Sequence, residues 1–306
     1  MSSADLYGEL RPRAFAIAYQ MLGSVSEAED VVQEAFLRMH QTLGRNEQLT
    51  SPRAYVATLV TRLSIDHFRS ARARRERYVG EWLPEPVVTD ASPADQAETA
   101  DALSLAFLVL LETLSPRQRA AFLLREVFDY PYVEVAGILG TDVDSTRHLV
   151  AKARVRLQER RPRYHASRRQ RDELARRFVA ATEQGDLPAL EALLAQDVVL
   201  HGDGGGKVPA LASPINGRQR VARHLATAMS VVAPHGGVRM RIAEVNGRPG
   251  ALIFDSRDRL FGVVGLDIAD GAIQAIHSIV NPDKLRHLDP VSDLGARIRA
   301  GRRQHS

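Results

Sequence analysis

The chain has 306 residues, a formal net charge of +4 and no cysteine. This length allows two or three domains, and the lack of cysteine excludes disulfides, cysteine-ligated zinc and thiol catalysis and is typical of a reducing cytoplasm. Residues 1–10 carry two acids and no apolar core, unlike a signal peptide, and the longest apolar run, residues 106–111, is too short to span a bilayer. We therefore expect a soluble cytoplasmic protein with no membrane partner.

The first 79 residues have the pattern of packed helices. In residues 27–40, apolar side chains recur at helical spacing and predict one buried face, with Ser26 as the N-cap. The polar side of this helix carries Asp30, Gln33, Glu34 and Leu37. Such a stripe is either ordinary surface or a docking face for a partner with a basic groove.

A strongly basic helix follows. Pro52 favours a helix start, and we expect the helix to end at about residue 75. Residues 53–77 contain seven arginines against two acids. An alternative to DNA binding is a solubilising face on which Asp66 pairs with Arg62 one turn away. The candidate contacts to unpaired DNA, through cations and stacking rings, are Arg53, Tyr55, Thr58, Arg62, Phe68 and Arg69.

Residues 80–101 differ in composition from both neighbouring segments. They contain three prolines, six acids and no lysine or arginine, which predicts an extended acidic linker. Helices are expected to resume at about residue 102 and to continue to about residue 161. A very basic joint, residues 160–171, follows.

Residues 115–156 predict a helix-turn-helix, with a break at residues 140–142 before a third, cationic helix. Thr141 is the expected cap of that third helix, with Asp144 returning the bond. Arg147, His148, Lys152, Arg154 and Arg156 are then available to DNA bases or phosphates. The alternative is an ordinary helical hairpin with a solvated basic face.

Beyond the basic joint the pattern changes to α+β. Residues 172–184, 187–195 and 217–232 look helical, and five short strands are predicted at residues 198–201, 238–245, 251–255, 260–268 and 273–280. Asn246–Gly247 and Asp270–Gly271 are hairpin-turn signals, so we expect a curled antiparallel sheet wrapped by helices. The arginine-rich tail after Asp293 is expected to be frayed.

Two features of this C-terminal part invite a chemical interpretation. His201, Asp203, His224 and His277 could support acid–base catalysis, but they have no metal-ligand spacing and need not face one pocket. The loop formed by Asp203, Gly204, Gly205, Gly206 and Lys207 lacks the Walker pattern, so nucleotide binding is not expected.

The ordered motifs AEDVVQEAFLRM, SPRAYVATLVTRLSIDHFRSARARRER and LSPRQRAAFLLREVFDYPYVEVAGIL, with the acidic segment between the last two, resemble the extracytoplasmic-function sigma factors of bacterial RNA polymerase. The resemblance covers residues 5–160. WLPEP (82–86), DGGGK (203–207) and NPDKL (281–285) resemble the subgroup with a fused SnoaL-like C-terminal domain, which extends the similarity to nearly the whole chain.

The resemblance implies a role for each part. Asp30, Gln33 and Glu34 would bind the polymerase core; Arg53, Tyr55, Thr58, Arg62 and Arg69 would engage the −10 element; Arg147, His148, Lys152 and Arg154 would bind the −35 duplex. Many relatives have Asn where Arg62 stands, so fine promoter specificity is not carried over. An interdomain regulatory contact is implied for Trp82, Leu83, Pro84, Asp203, Gly204, Gly205, Gly206, Lys207, Asn281, Pro282 and Asp283, with Trp82 as the apolar anchor.

We therefore expect a multidomain protein: sigma region 2 (residues 1–79), the acidic linker (80–101), region 4 with its helix-turn-helix (102–161), a SnoaL-like α+β cone (170–288) and a basic tail (289–306). It would be a non-enzymatic sigma factor without a cofactor, with core RNA polymerase and promoter DNA as partners and a candidate small ligand in the cone. Two alternatives stay open: a regulator whose helix-turn-helix acts alone while its cone senses a ligand, and a cone-fold enzyme with a nucleic-acid-binding arm.

Overall fold

The computed structural model describes residues 3–44, 49, 51–75, 77–89, 103–158 and 167–304. The second half of the predicted acidic linker and the first part of the basic joint lie outside the described residues. The chain forms two compact units, one of Met1–Arg77 with Phe107–Arg161 and one of Tyr78–Ala106 with Pro162–Ser306. The linker residues from Tyr78 onwards thus belong to the C-terminal unit.

Three long helices begin the first unit: α1 (Ser3–Leu22), α2 (Val25–Gly44) and α3 (Pro52–Arg75). They bury apolar faces against one another, and these faces include Ile17, Met21, Val32, Phe36 and Val60. The buried face predicted for residues 27–40 is the one observed.

Four shorter helices follow: α4 (Leu105–Leu111), α5 (Pro116–Phe122), α6 (Tyr132–Leu139) and α7 (Val143–Gln158), with a π-helical turn at Leu123–Val127. Gly140 ends α6 in the left-handed conformation, at φ 61°. Glycine adopts this conformation at little cost, so the chain can reverse before α7. The predicted helix-turn-helix is therefore confirmed.

Two predicted helix caps are wrong by one or two residues. The hydroxyl of Ser24, not Ser26, accepts the amide of Glu27 at 3.2 Å, because α2 already begins at Val25. Asp142, not Thr141, caps α7: its carboxylate accepts the amide and the hydroxyl of Ser145, each at 2.7 Å. These hydrogen bonds also lower the pKa of Asp142.

The second unit packs α8 (Arg168–Gln184), α9 (Leu187–Leu193) and α10 (Arg218–Val232) on one six-stranded sheet. The strands, in the order β2-β1-β6-β5-β4-β3, are β1 (Leu194–Asp203), β2 (Ile215–Asn216), β3 (Val238–Val245), β4 (Arg248–Asp255), β5 (Leu260–Ala269) and β6 (Ala272–Ile279). The fold class predicted from the sequence is confirmed.

The expectation of a purely antiparallel sheet is wrong. β1 and β6 pair in parallel, so the sheet is mixed. The helices and strands that connect them are long enough for the crossover that a parallel pair requires. The short strand β2, which carries no apolar alternation, was not predicted from the sequence.

The sheet has two chemically different faces. Leu200, Ile276 and Leu266 are in register across β1, β6 and β5 and join the apolar core beneath the helices; we call this the inner face. Because side chains alternate along a strand, their neighbours His201 and His277 lie on the opposite, outer face.

Residues 294–304 of the tail are helical, which corrects the expectation that the chain after Asp293 is frayed. Helix α11 (Leu294–Gln304) buries Leu294 fully and Ile298 at 5% exposure, and both pack with Val232 at the end of α10. Apolar residues one turn apart thus fix the helix, and two of its arginines also donate to the C-terminal unit, Arg297 to the carbonyl of His235 and Arg299 to that of Gly206. No helix in the described part of the chain is long and apolar enough to cross a membrane.

This packing predicts that the tail stabilises the C-terminal unit. Leu294→Ala is expected to lower the free energy of unfolding by about 2–5 kcal/mol, because it leaves a cavity in a buried cluster. Urea unfolding followed by far-UV circular dichroism measures the change. The control is Ile242→Ala at a residue that is 46% exposed, where a change within about 0.5 kcal/mol is expected. Equal losses for the two variants would contradict a packed tail.

Candidate nucleic-acid surfaces and the linker seat

The carboxylate of Asp203, at the end of β1, is fully buried and holds the linker to the C-terminal unit. One oxygen accepts the hydroxyl of Tyr78 at 2.6 Å, and the other accepts the amide of Leu83 at 2.8 Å and the ammonium of Lys284 at 2.7 Å. We call residues 203–207 and 281–284, which receive the linker, the linker seat. A buried charge is tolerated only when it is paired and hydrogen-bonded in this way.

Lys284 is the cationic centre of the seat. Its ammonium also donates to the carbonyl of Leu83, and it lies 4.2 Å from the centre of the Trp82 ring and 5.0 Å from that of Tyr78. Burial, reinforced by the hydrogen bond to Asp203, raises the pKa of Tyr78, so the phenol stays neutral and donates its proton. Leu83, at 0% exposure, is the buried apolar anchor, whereas Trp82 is half-buried against the cation.

The loop requires glycines because neighbouring side chains approach its backbone closely. Gly205 and Gly206 have φ of 58° and 66°, and a Cβ on Gly205 would lie 2.3 Å from the Asn281 amide nitrogen. A Cβ on Gly206 would lie 3.0 Å from the side chain of Val79. Asn281 in turn donates to the Tyr78 hydroxyl at 2.6 Å. The loop therefore fits between the linker and the segment after β6.

The linker continues along the sheet edge beyond the seat. The amide of Val87 donates to the Asn246 side chain at 2.9 Å, and the amide of Asn246 donates to the carbonyl of Val87 at 2.8 Å. The amide of Thr89 donates to the carbonyl of Glu244 at 3.0 Å. Residues 87–89 thus add a short strand-like segment beside the β3–β4 turn.

The histidines considered for catalysis lie mainly on the outer face. His201 and His277 stack with ring centres 5.0 Å apart; His201 bonds Glu81 of the linker at 2.7 Å, and His277 bonds Asp267 at 2.9 Å. They therefore serve contacts with the linker and within the sheet rather than the cavity described next. Across the described ranges, no cluster of three or more histidine, aspartate or glutamate residues is placed to hold a metal.

A cavity of about 280 Å³ lies against the inner face. Its wall is mostly apolar and includes Phe178, Met229, Met240, Phe261 and Ile298. His224 also lines it, and burial lowers the pKa of this imidazole, which is therefore neutral at pH 7.

The predicted −35 residues Arg147, His148, Lys152 and Arg154 are all exposed on α7. Arg154 forms a two-armed ion pair with Glu126 at 2.7 and 3.1 Å, and Arg147 bonds Asp144 at 3.0 Å. The Arg147 pair is exposed on both sides and therefore weak, so this guanidinium can exchange its partner for a phosphate.

The predicted −10 residues are not all free on α3. Arg53 is exposed, but Tyr55 bonds Thr42 at 3.0 Å and Thr58 bonds the carbonyl of Ala54 at 2.8 Å. Arg62 does not pair with Asp66: it donates to the carbonyls of Ile138 and Gly137, at 3.0 and 3.3 Å. The side chain of Arg69 lies outside the described residues.

The predicted polymerase-binding stripe is exposed on α2. Asp30 and Gln33 are exposed, Glu34 bonds Arg38 at 2.7 Å, and Leu37 is 51% exposed.

Four residues with central positions were missed from the sequence: Tyr78, Glu81, Asn246 and Lys284. Lys284 is the only cation of the NPDKL motif, and a pairing with the aspartate of the DGGGK motif could have been predicted from the two motifs. Asn246 was interpreted only as a turn residue. Tyr78 and Glu81 gave no pattern, because their partners lie far away in the chain.

Comparison with known proteins agrees with this architecture. Residues 6–74 match the family model for Sigma-70 region 2, residues 104–157 that for Sigma-70 region 4, and residues 175–275 that for the SnoaL-like domain. The described fold is therefore that of a sigma factor with a fused SnoaL-like domain.

Similarity along nearly the whole chain shows which group of sigma factors the protein belongs to. The ECF RNA polymerase sigma factor SigJ of Mycobacterium tuberculosis is 35% identical over 285 residues, covering 90% of each chain. The probable ECF sigma factor SigI of the same species is 32% identical, covering 91% of this chain and 92% of the relative. The crystal structure of SigJ matches with a TM-score of 0.73 at 32% identity, covering 95% of this chain and all of that one. The chain belongs to the extracytoplasmic-function sigma factors, which are promoter-specific initiation factors of RNA polymerase.

The geometry of the seat predicts an asymmetry between its two aspartates. Asp203→Asn should lower the free energy of unfolding by about 3–5 kcal/mol, because Lys284 would stay buried without its charge partner. Asp283→Asn removes the same charge from exposed pairs with Lys207 and Arg286 and should cost no more than about 1 kcal/mol. Urea unfolding gives both values, and fluorescence of Trp82, the only tryptophan, reports release of the linker. Indistinguishable variants would refute the central role of Asp203.

Proposed function

We propose that the cone controls this sigma factor in cis by holding the linker between regions 2 and 4. The observation that carries the proposal is the buried Asp203 carboxylate, which binds Tyr78, Leu83 and Lys284. A linker seated on the cone is not available to the polymerase. Control therefore amounts to an equilibrium between a seated and a released linker, which a partner can shift only through different affinities for the two states.

The residue roles implied by the resemblance are part of this proposal. Asp30, Gln33 and Glu34 would bind the polymerase core, Arg53 and Arg62 the −10 element, and the α7 cations the −35 duplex. These residues are exposed on separate helices, which supports promoter recognition by two separate DNA-binding surfaces. Each surface contributes phosphate contacts, and the polymerase, by holding both regions, raises their effective concentration at the promoter. The work of the protein is binding and strand separation in the cytoplasm, without covalent catalysis by the cone.

The test is transcription with purified core polymerase on fragmented genomic DNA, with sequencing of the RNA 5′ ends, which requires no known promoter. Full-length protein, a chain ending at Ser167, and the Asp203→Asn and Asp283→Asn variants are compared. We expect truncation and Asp203→Asn to change the initiation rate in the same direction, and Asp283→Asn to match the wild type.

Two results would contradict the proposal. If the truncated chain initiates like the full-length protein, the cone exerts no control. If Asp203→Asn initiates like Asp283→Asn while truncation has an effect, control does not act through the seat.

In the same reactions Lys152→Ala should weaken initiation at the mapped promoters. It should also reduce the salt dependence of initiation by the contribution of about one phosphate contact.

The cavity supports a second part of the proposal, a small ligand of the cone. We infer an uncharged, largely apolar molecule, because the cavity wall is apolar and its His224 is neutral. The wall includes Leu211, which also packs against Gly202 next to the seat, so occupancy can reach the linker.

Binding can be measured with the neutral fluorophore N-phenyl-1-naphthylamine. We expect fluorescence enhancement with the wild type and its loss in Ala228→Phe, which fills the cavity from α10. Ala151→Phe, at an exposed residue of α7, is the matched control. Equal enhancement by both variants would place the probe elsewhere and overturn the ligand assignment.

A further inference from the structure

Helix α11 forms part of the cavity wall and is attached to the cone by a small apolar contact. Ile298 of α11 lines the cavity, as do Val232 at the end of α10 and Phe261 of β5. Leu294, Ile298 and Val232 form a buried cluster of their own, apart from the main core of the cone. The contact that holds α11 therefore includes side chains that a molecule in the cavity would touch.

Helix α11 also meets the loop of the linker seat. Arg299 donates from its Nη2 to the carbonyl of Gly206 at 2.6 Å. A Cβ on Gly295 would lie 2.5 Å from the side chain of Val208, so this close approach requires glycine. Val208 follows directly after the seat loop, lines the cavity, and donates its amide to the carbonyl of Gly204 at 3.2 Å. Val208 is thus shared by the cavity, the tail helix and the seat.

A strap holds the start of α11 to the sheet, so we expect any movement of the helix to pivot there. The backbone of residues 290–292 pairs with Leu260 of β5, with N–H···O distances of 2.9 and 2.8 Å. The Ser292 hydroxyl donates to the Asp255 carboxylate at 2.5 Å. Burial opposes the ionisation of Asp255, but hydrogen bonds from Ser292 and from two backbone amides lower its pKa to about 2. The carboxylate therefore stays charged, and the strap holds, across the physiological pH range.

We propose that α11 couples the cavity to the linker seat, so that an apolar ligand in the cavity tightens the hold of the cone on the linker. This coupling rests on the proposed ligand and the proposed seat, and it gives the ligand a direction of control. A ligand enclosed between Ile298 and Val208 keeps both contacts only while α11 and the loop are in place. That arrangement is also the one in which Arg299 reaches Gly206, so the ligand favours the seated linker.

The coupling must be reciprocal. If the ligand favours the seated linker by a given factor, the seated linker raises the affinity for the ligand by the same factor. Coupled sites typically change each other's affinity by roughly 5-fold to 150-fold. We therefore expect a variant that releases the linker to bind the ligand more weakly, even though the substituted residue lies outside the cavity wall.

The first measurement is the dissociation constant of N-phenyl-1-naphthylamine for the full-length protein. We expect Asp203→Asn to weaken binding by about fivefold or more, and by less than about twofold when Arg299→Ala is also present. Arg299 is not among the cavity-lining residues, so its loss removes the connection and leaves the binding site. The matched control is Arg176→Ala, which removes a guanidinium from an exposed pair with Glu173 on α8 and should preserve the fivefold effect.

Hydrogen exchange of the Leu83 amide reports the seat directly, because this amide donates to the buried Asp203 carboxylate. Mass spectrometry of peptides from residues 79–86 compares exchange without and with saturating N-phenyl-1-naphthylamine. The probe should slow exchange about fivefold in the wild type and in Arg176→Ala, and less than about twofold in Arg299→Ala. It should have no effect in Ala228→Phe, where the cavity is filled.

Three outcomes would overturn the inference, and each identifies a different error. Exchange that stays unchanged or accelerates in the wild type, while fluorescence shows the probe bound, means that occupancy does not tighten the seat. An equal effect of Asp203→Asn with and without Arg299→Ala means that α11 is not the connection. Absence of probe binding means that the proposed ligand site itself has failed. If Asp203→Asn does not fold, Tyr78→Phe, which removes a hydroxyl bonded to Asp203, carries the same expectations.

Discussion

The buried ion pair between Asp203 and Lys284 is the interaction on which the C-terminal half of the protein depends. Two charges removed from water need hydrogen-bond partners, and here the Tyr78 hydroxyl and the backbone of Leu83 supply them. The pair therefore specifies the linker as its third component. A pair that could be satisfied by the cone alone would leave the linker unrestrained.

The N-terminal unit is built on a different principle. Its regions meet through arginines that donate to carbonyls and rings, with one shared carboxylate at Glu112. Such contacts have directional geometry, because each guanidinium donates along fixed N–H directions.

The helices and most strands could be predicted because their signals are local: apolar spacing, Pro52 at a helix start, and Asn246–Gly247 at a hairpin. The motifs also indicated which loops matter. What the sequence could not show was distance in space. Tyr78 and Asp203 are remote in the chain, Arg62 was more simply paired with Asp66 one turn away, and the parallel pairing of β1 with β6 depends on a crossover that no short window reveals. The tail was mispredicted because its arginines hid the apolar pair of Leu294 and Ile298.

The parallel pairing of β1 with β6 has a consequence for how the protein is made. Parallel strands end at the same sheet edge, so Asp203 and the segment with Asn281 and Lys284 meet there only after β6 has been added to the sheet. On the ribosome, region 2, the linker and region 4 all emerge before that edge exists. The linker of a nascent chain therefore has no seat, and restraint arrives only when the last strand is folded. A chain shortened by interrupted synthesis or by proteolysis would carry complete promoter-reading regions without the element that holds their linker.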